Sequence, residues 1–503
     1  MAYVSEDKIA SIVERVVTRL QAGEKRVPLN PNPRPRPAEV NPPYGCGPRA
    51  DRPTRTGPAP YRGSARGSLG KGVFADIDSA VAAAREAFMQ YSMMGLAARH
   101  RIIDEVRREC HQHVERMAQD AVKETGLGRV DQKLIKNRLV IDKTPGPEIL
   151  EPWAQSGDDG LTIEEWAPYG VIGAITPTTN PTETIICNGI GMISAGNSVV
   201  FNAHPGAKKV SAFTVQFIND AIVRAGGPEN LMCCTAEPTI ESAQALMTHA
   251  GIRLLVVTGG PGVVNAAMKS GKKVIAGGPG NPPVLVDDTA DLDQAGEGIV
   301  KGVSLDNNIV CTAEKEIIAQ ANITDALKVS MARHGAYELS PDEIQRLEKV
   351  VVDGNHANKK WVGKDIAKIL GEIGVTAPHG TLIAYGEVPE HHPFIQNELL
   401  MPVTGLVRVQ DAREGIQMAV RCEHGNGHTA AMYSKNIEHL HMMARAINTS
   451  IFVKNAPTYA GLGLGGEGYT SFTIASPTGE GLTTARDFAR VRRCTLKEYF
   501  RII

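Results

Sequence analysis

The sequence predicts an α/β fold in which a parallel sheet carries helices on both faces, with a second α/β unit and an exposed hairpin. Short apolar runs at 171–175, 198–201, 231–234, 254–257 and 274–276 alternate with amphipathic helical patterns at 183–194, 207–225, 240–248 and 262–270. Strand/helix alternation of this kind buries both faces of a parallel sheet. The segments following four of those strands are rich in Gly, Pro, Thr and Asn, the composition of ligand-binding loops at strand carboxyl ends. Finally, Gly157-Asp158-Asp159-Gly160 sits within strand-like alternation over 148–166, which reads as a hairpin.

Taken in order, residues 4–21 place Ile9, Ile12, Val13, Val16, Val17 and Leu20 at helical spacing, with Ser5 as N-cap. A helix of about 16 residues is marginal alone in water, so its apolar stripe needs a partner. The next stretch, 22–70, contains Pro31-Asn32-Pro33-Arg34-Pro35-Arg36-Pro37 and lacks apolar surface to bury, so it reads as an extended tether. A short amphipathic helix on a tether is the layout of a docking peptide. The globular part opens with helices at 79–91 and 97–125, ending at Gly126 and Gly128. A first unit is expected over 71–290 and a second over 291–455. The second has helices at 295–304, 326–334, 341–350, 364–373, 412–421 and 437–446. Its strands fall at 316–319, 382–384, 403–409, 429–433 and 450–453. Residues 456–503 are expected to return to the first unit.

Charge and cysteines narrow the class. Lys and Arg total 54 against 55 Asp and Glu, a net charge of −1, so no global field recruits nucleic acid or anionic membrane. Eight cysteines are scattered without metal-ligand spacing, which points to a reducing compartment. No apolar run approaches the ~18 residues of a membrane span, and the N-terminus lacks a secretory layout.

The candidate loops are Thr176-Pro177-Thr178-Thr179-Asn180-Pro181, Asn202-Ala203-His204-Pro205-Gly206, Thr258-Gly259-Gly260-Pro261-Gly262 and Gly277-Gly278-Pro279-Gly280-Asn281. They suit a dinucleotide, the last two allowing close backbone approach. Cys311 lies in Leu305-Asp306-Asn307-Asn308-Ile309-Val310-Cys311-Thr312-Ala313-Glu314-Lys315-Glu316, between a polar turn and a strand. It is either a packing thiol or a nucleophile with access to donors. Asn180 is either a turn residue before Pro181 or a donor to a carbonyl oxygen gaining charge. Glu398 either binds a ribose hydroxyl or precedes a strand. Gly461-Leu462-Gly463-Leu464-Gly465-Gly466 matches G-x-G-x-x-G literally, but no helix is expected after it, so it reads as a structural loop. His424 and His428 lack a third ligand, and no metal site is expected.

Together these loops, Cys311 and Glu398-Leu399-Leu400-Met401-Pro402-Val403 resemble the aldehyde dehydrogenase superfamily in order and spacing, over about 76–500. The resemblance implies a Rossmann-type cofactor domain, a catalytic α/β domain, and oligomerisation strands in the hairpin at 148–166 and at 486–496. It implies Cys311 as nucleophile, and Asn180 with the nucleophile's own N–H as oxyanion hole. Glu398 would hold the nicotinamide ribose, while Thr176, Pro177, Thr178, His204, Pro205, Gly206, Gly259, Gly260, Gly277 and Gly278 would line the cofactor site. The hydrolytic members' glutamate is missing from 274–281, and their adenine-ribose lysine is replaced by Asn202-Ala203-His204-Pro205. Both departures resemble the CoA-acylating branch, as do Ile309–Glu314 and Glu423–Ala431. The expected reaction converts a short aldehyde, NAD and coenzyme A into acyl-CoA and NADH. A thiol acceptor needs less activation than water, which accounts for a missing base. The N-terminal helix resembles encapsulation peptides, implying shell proteins bound through 1–21 and a bacterial microcompartment lumen, while the oligomerisation strands imply a homodimer or homotetramer. The alternatives are a hydrolytic NAD(P)-dependent enzyme and a non-catalytic nucleotide-binding scaffold.

Overall fold

A computed structural model describes residues 68–502. The expected helix at 4–21 and nearly all of the 22–70 tether lie outside the described residues. The tether's last residues are a correction: Ser68–Gly70 is an edge strand, antiparallel to Val73–Phe74.

The first sheet has seven strands. Their order is Ser68–Gly70, Val73–Phe74, Met232–Thr235, Ser198–Asn202, Val171–Ile175, Leu254–Thr258 and Lys273–Gly277, all parallel after the first pair. Successive residues of a strand point to opposite faces, and here both faces are apolar and buried. Ile172 and Ala174 join one core with Ile185 and Phe217. Val171 and Ile175 join another with Ile77, Val81, Leu246 and Val264.

The second sheet is parallel throughout. It runs Ala336–Glu338, Ile383–Glu387, Val403–Val409, Glu316–Gln320, Pro283–Val286, Thr429–Tyr433 and Ile451–Lys454. Its strand Pro283–Val286 precedes the expected boundary at 290/291, so the chain crosses between sheets at 278–282. Asn281 explains the crossing: its Nδ2 donates to the Ile395 and Cys422 carbonyls, both 2.9 Å away and both in the second unit. One face of this sheet, including Ile317, Leu406 and Ala431, shares the large core with Ile172 and Ala174. The two sheets therefore lean on one apolar body, and the loops at their ends meet.

The third sheet stands apart. Trp153–Gly157 and Gly160–Pro168 form the hairpin, with Gly157 opposite Gly160, and Ala489–Lys497 pairs along its length. Trp153, Val491 and Leu496 are exposed on it.

Among the elements not expected from sequence are the strands Val73–Phe74 and Ala336–Glu338 and the helix Val130–Lys143. The buried positions of that helix include Lys133, Lys136 and Asn137. An apolar-stripe criterion passes over a helix whose inward face is charged.

Candidate active site

Val171–Ile175 is the strand from which the chain moves outward to one side and then, by a crossover, to the other. Ligands bind beyond the carboxyl ends of strands at such a switch point. There the first two loops touch, since a Cβ on Gly206 would lie 3.3 Å from Thr178. His204 turns inward to its own loop, its Nδ1 accepting from the Gly206 N–H at 3.0 Å. Burial and the charge of Lys359 hold its pKa below the usual range. The other two loops are joined by the Gly259 N–H donating to the Gly277 carbonyl at 3.2 Å. Gly277 and Gly278 abut Ile474 and Pro477 of the returning C-terminal segment.

Two observations bear on whether a dinucleotide fits here. Gly260 caps the helix Pro261–Met268 without a side-chain hydrogen bond, and apart from its own chain neighbours no atom lies within 4 Å of its Cβ position. The first N–H groups of that helix are thus approachable by an anion. Thr176 is buried with an unpartnered Oγ1 at the end of Val171–Ile175. Both features fit the group.

Cys311 is reached through an unusual backbone. Asp306, Asn307 and Asn308 all have left-handed φ, at 47°, 54° and 65°. Asp and Asn tolerate this conformation better than other non-glycine residues, but a run of three needs external support. Asn307 Nδ2 donates to the Gly363 carbonyl at 3.0 Å and Asp365 Oδ1 at 2.9 Å. Asn308 Nδ2 donates to the Val303 and Glu314 carbonyls at 2.8 and 3.0 Å. Asp306 Oδ1 accepts from the Arg129 N–H at 2.7 Å. Each side chain in Asp306-Asn307-Asn308 therefore has a structural task.

The thiol is partly exposed. Burial and the neighbouring Glu398 carboxylate push the Cys311 pKa up to about 12, against the opposing charges of Lys315 and Lys136. Lys315 is buried, its Nζ donating to the Asn308 carbonyl at 2.8 Å, Asn308 Oδ1 at 2.6 Å and the Val310 carbonyl at 3.3 Å. Sequence reasoning found no electropositive neighbour for Cys311, although Lys315 stands four positions along. Burial raises the Glu398 pKa, and Lys315 opposes the rise. Glu398 lies beside Cys311 and not within a strand, which begins only at Val403. Gly280 closes the other side, because a Cβ there would come within 2.9 Å of both the Cys311 carbonyl oxygen and His428 Cγ. His428, expected to be structural or solvated, is buried, and burial with the Lys315 charge lowers its pKa to about 4. It is thus a neutral imidazole near pH 7.

Asn180 caps the buried helix Pro181–Ser194 through its backbone carbonyl, which accepts from the Thr184 N–H at 3.0 Å. Its side chain makes no cap. Instead Oδ1 accepts from Lys136 Nζ at 2.5 Å, and Nδ2 donates to Thr179 Oγ1 at 3.2 Å. Lys136 also acts on Cys311 electrostatically, so Asn180 and Cys311 share one charged neighbour. Lys133, Lys136 and Lys315 went unread in the sequence; their signal was charge at helix-stripe and near-nucleophile positions. Gly461–Gly466, read as structural, is held by Lys143 Nζ donating to the Gly463 and Gly466 carbonyls, with no α-helix following.

A cysteine between two Rossmann-like sheets, beside glycine loops at a switch point, is the arrangement of a nucleotide-dependent enzyme. Residues 55–336 match the model of the aldehyde dehydrogenase family, and the chain belongs to that family. It is similar to the acetaldehyde dehydrogenase (acetylating) EutE of Salmonella typhimurium, with 49% identity over 86% of this chain and 94% of the relative. A solved propionaldehyde dehydrogenase of Rhodopseudomonas palustris, with bound CoA and an acylated cysteine, superposes with TM-score 0.84. It is 49% identical, over 86% of this chain and 99% of that one. A propionaldehyde dehydrogenase from a Clostridium phytofermentans fucose utilisation bacterial microcompartment gives TM-score 0.85. There the identity is 47%, over 86% of this chain and all of that one.

Proposed function

We propose that the chain is a CoA-acylating aldehyde dehydrogenase, converting a short aldehyde such as acetaldehyde or propionaldehyde to its acyl-CoA. The observation that carries this is the wall around Cys311. The strand-end loop 277–281 has no acid, and Gly280 is packed too tightly against Cys311 and His428 to carry any side chain. A thiol acceptor needs less activation by a base than water does, so a wall without an acid at 277–281 favours CoA as the acceptor. Relatives solved with CoA and an acylated cysteine support the same reading.

In this reading the Cys311 sulfur adds to the aldehyde carbonyl, and the thiol proton leaves the site. The carbonyl oxygen, gaining negative charge, is held by Asn180 Nδ2 and the Cys311 backbone N–H. Bound NAD supplies the hydride acceptor. Thr176, Pro177, Thr178, His204, Pro205, Gly206, Gly259, Gly260, Gly277 and Gly278 would shape the cofactor site, and Glu398 would hold the nicotinamide ribose. The acyl group of the Cys311 thioester then passes to the CoA sulfur, and the proton given up by the CoA thiol is taken by the departing Cys311 sulfur, which regenerates the thiol.

Residues 1–21 dock the enzyme to microcompartment shell proteins, with 22–67 as linker, and its place is the microcompartment lumen. The first unit holds NAD and then CoA; the second carries the nucleophile. The three-stranded sheet, exposing Trp153, Val491 and Leu496, joins copies into a dimer or tetramer. NADH formation and product identity with acetaldehyde and propionaldehyde, with and without CoA, test the activity. CoA-dependent acyl-CoA is expected; free acid released at a comparable rate without CoA would favour hydrolysis.

A further inference from the structure

The helix Val130–Lys143 brings two lysines into the interior, where they meet two carboxylates. Lys133, Lys136, Asp306 and Glu183 are all at most 1% exposed. Lys136 Nζ lies 2.5 Å from Asp306 Oδ2 and 3.1 Å from Glu183 Oε1, while Lys133 Nζ lies 3.1 Å from Asp306 Oδ2. Two cations and two anions balance. Buried ion clusters of this kind add little stability over apolar packing, so what they hold in place matters more than their energy.

What they hold is two segments of the active site. Asp306 opens the left-handed run leading to Cys311, and no side chain fits at Gly128, where a Cβ would fall 2.0 Å from Asp306 Oδ1. From that carboxylate, Lys133 Nζ reaches the Thr179 carbonyl at 3.1 Å, and Lys136 Nζ reaches Asn180 Oδ1 at 2.5 Å. Thr179 and Asn180 are adjacent. The nucleophile's loop and the asparagine's loop are therefore bolted together by two ammonium groups across one aspartate.

The contact also decides which way the Asn180 amide faces. An ammonium group only donates, so Asn180 must turn its carbonyl oxygen to Lys136 and its NH₂ away. One N–H of that NH₂ meets Thr179 Oγ1, which leaves the second N–H for a ligand. A hydrogen bond donated to an amide oxygen draws electron density from its nitrogen, strengthening the opposite N–H as a donor.

We propose that Lys136 is a positioning residue for aldehyde oxidation: it fixes and polarises the Asn180 amide and ties it to the Cys311 loop through Asp306. The inference rests on Asn180 being the oxyanion donor. Lys136 is buried and bonded to Asn180 Oδ1, so beside its charge acting on Cys311 its effect passes through Asn180.

The test is a double-mutant cycle on the full chain, with kcat and KM measured in the presence of CoA for N180A, K136M and K136M/N180A. N180A is expected to lower kcat by about 10²–10³-fold, the usual cost of an oxyanion donor. K136M should lower kcat by at least about tenfold with KM for NAD little changed, and the double variant should be no slower than N180A. K136M/E183Q, which keeps the cluster neutral, guards against misfolding and should show the same loss of kcat. Wild-type kcat in a folded K136M or K136M/E183Q, or losses that multiply in K136M/N180A, would overturn the role of Lys136 while leaving Asn180 in place. Wild-type kcat in N180A would overturn the oxyanion reading, and the Lys136 inference with it.

Discussion

The two sides of the site are built from different materials. The strand ends of the first sheet offer backbone and small side chains: an uncapped helix N-terminus at Gly260, the Thr176 hydroxyl, and loops joined by a Gly259–Gly277 hydrogen bond. The Cys311 side is built from buried charge: Lys133, Lys136, Lys315, Asp306, Glu183 and Glu314, drawn from segments far apart in the chain. A surface of backbone N–H groups can take two successive nucleotide ligands with little rearrangement. A nucleophile tolerates no such latitude, and fixed charges hold its loop. Substitutions on the two sides should therefore fail differently, with binding lost on the first and chemistry or folding lost on the second.

The largest effect is expected at the nucleophile. C311A should reduce acyl-CoA formation by about 10⁴-fold or more while leaving NAD binding, followed by fluorescence titration, near wild type. Asp306→Asn comes next. It leaves Lys133 and Lys136 facing Glu183 alone, and breaking a buried ion pair from one side costs about 3–5 kcal/mol, which thermal unfolding would report as a clear fall in Tm.

The charges around Cys311 should show in its reactivity. With the thiol pKa near 12, the thiolate is scarce at neutral pH, so iodoacetamide alkylation should rise about tenfold per pH unit from 7 to 10. E398Q removes a negative neighbour, lowers that pKa and should speed alkylation at fixed pH. K315M removes a positive neighbour, raises it, and should slow alkylation by a comparable, several-fold factor. The smallest effect belongs to the backbone-lined side. Gly260→Ala has room within the fold, so Tm should be unchanged while KM for NAD rises about several-fold through closer contact with the ligand.

This contrast also governs what could be read from the sequence. Five of the first sheet's seven strands were legible, because apolar runs and Gly/Pro loops are local signals: 171–175 and 254–257 fall on Val171–Ile175 and Leu254–Thr258. Cys311, Asn180 and Glu398 were legible as candidates by residue type and by the resemblance. The structure brings Glu398 beside Cys311, and links Asn180 to the Cys311 loop through Lys136 and Asp306. The helix Val130–Lys143 was not legible, since its buried face carries Lys133, Lys136 and Asn137 where periodicity looks for apolar residues. Nor was the strand Pro283–Val286, a short run just after the Gly-Pro-Gly-Asn-Pro-Pro turn, nor Ser68–Gly70 beside the proline-rich stretch. The purpose of Asp306-Asn307-Asn308 became clear only with its left-handed backbone and its distant partners.

The central claim is that Cys311 carries the acyl group between aldehyde and CoA. Enzyme mixed with propionaldehyde and NAD but no CoA, then quenched, digested and mapped by mass spectrometry, tests it directly. The predicted result is one propionyl group on the Cys311 peptide, discharged as propionyl-CoA when CoA is added before quenching. An unmodified Cys311 with NADH and free acid accumulating in the absence of CoA would contradict it.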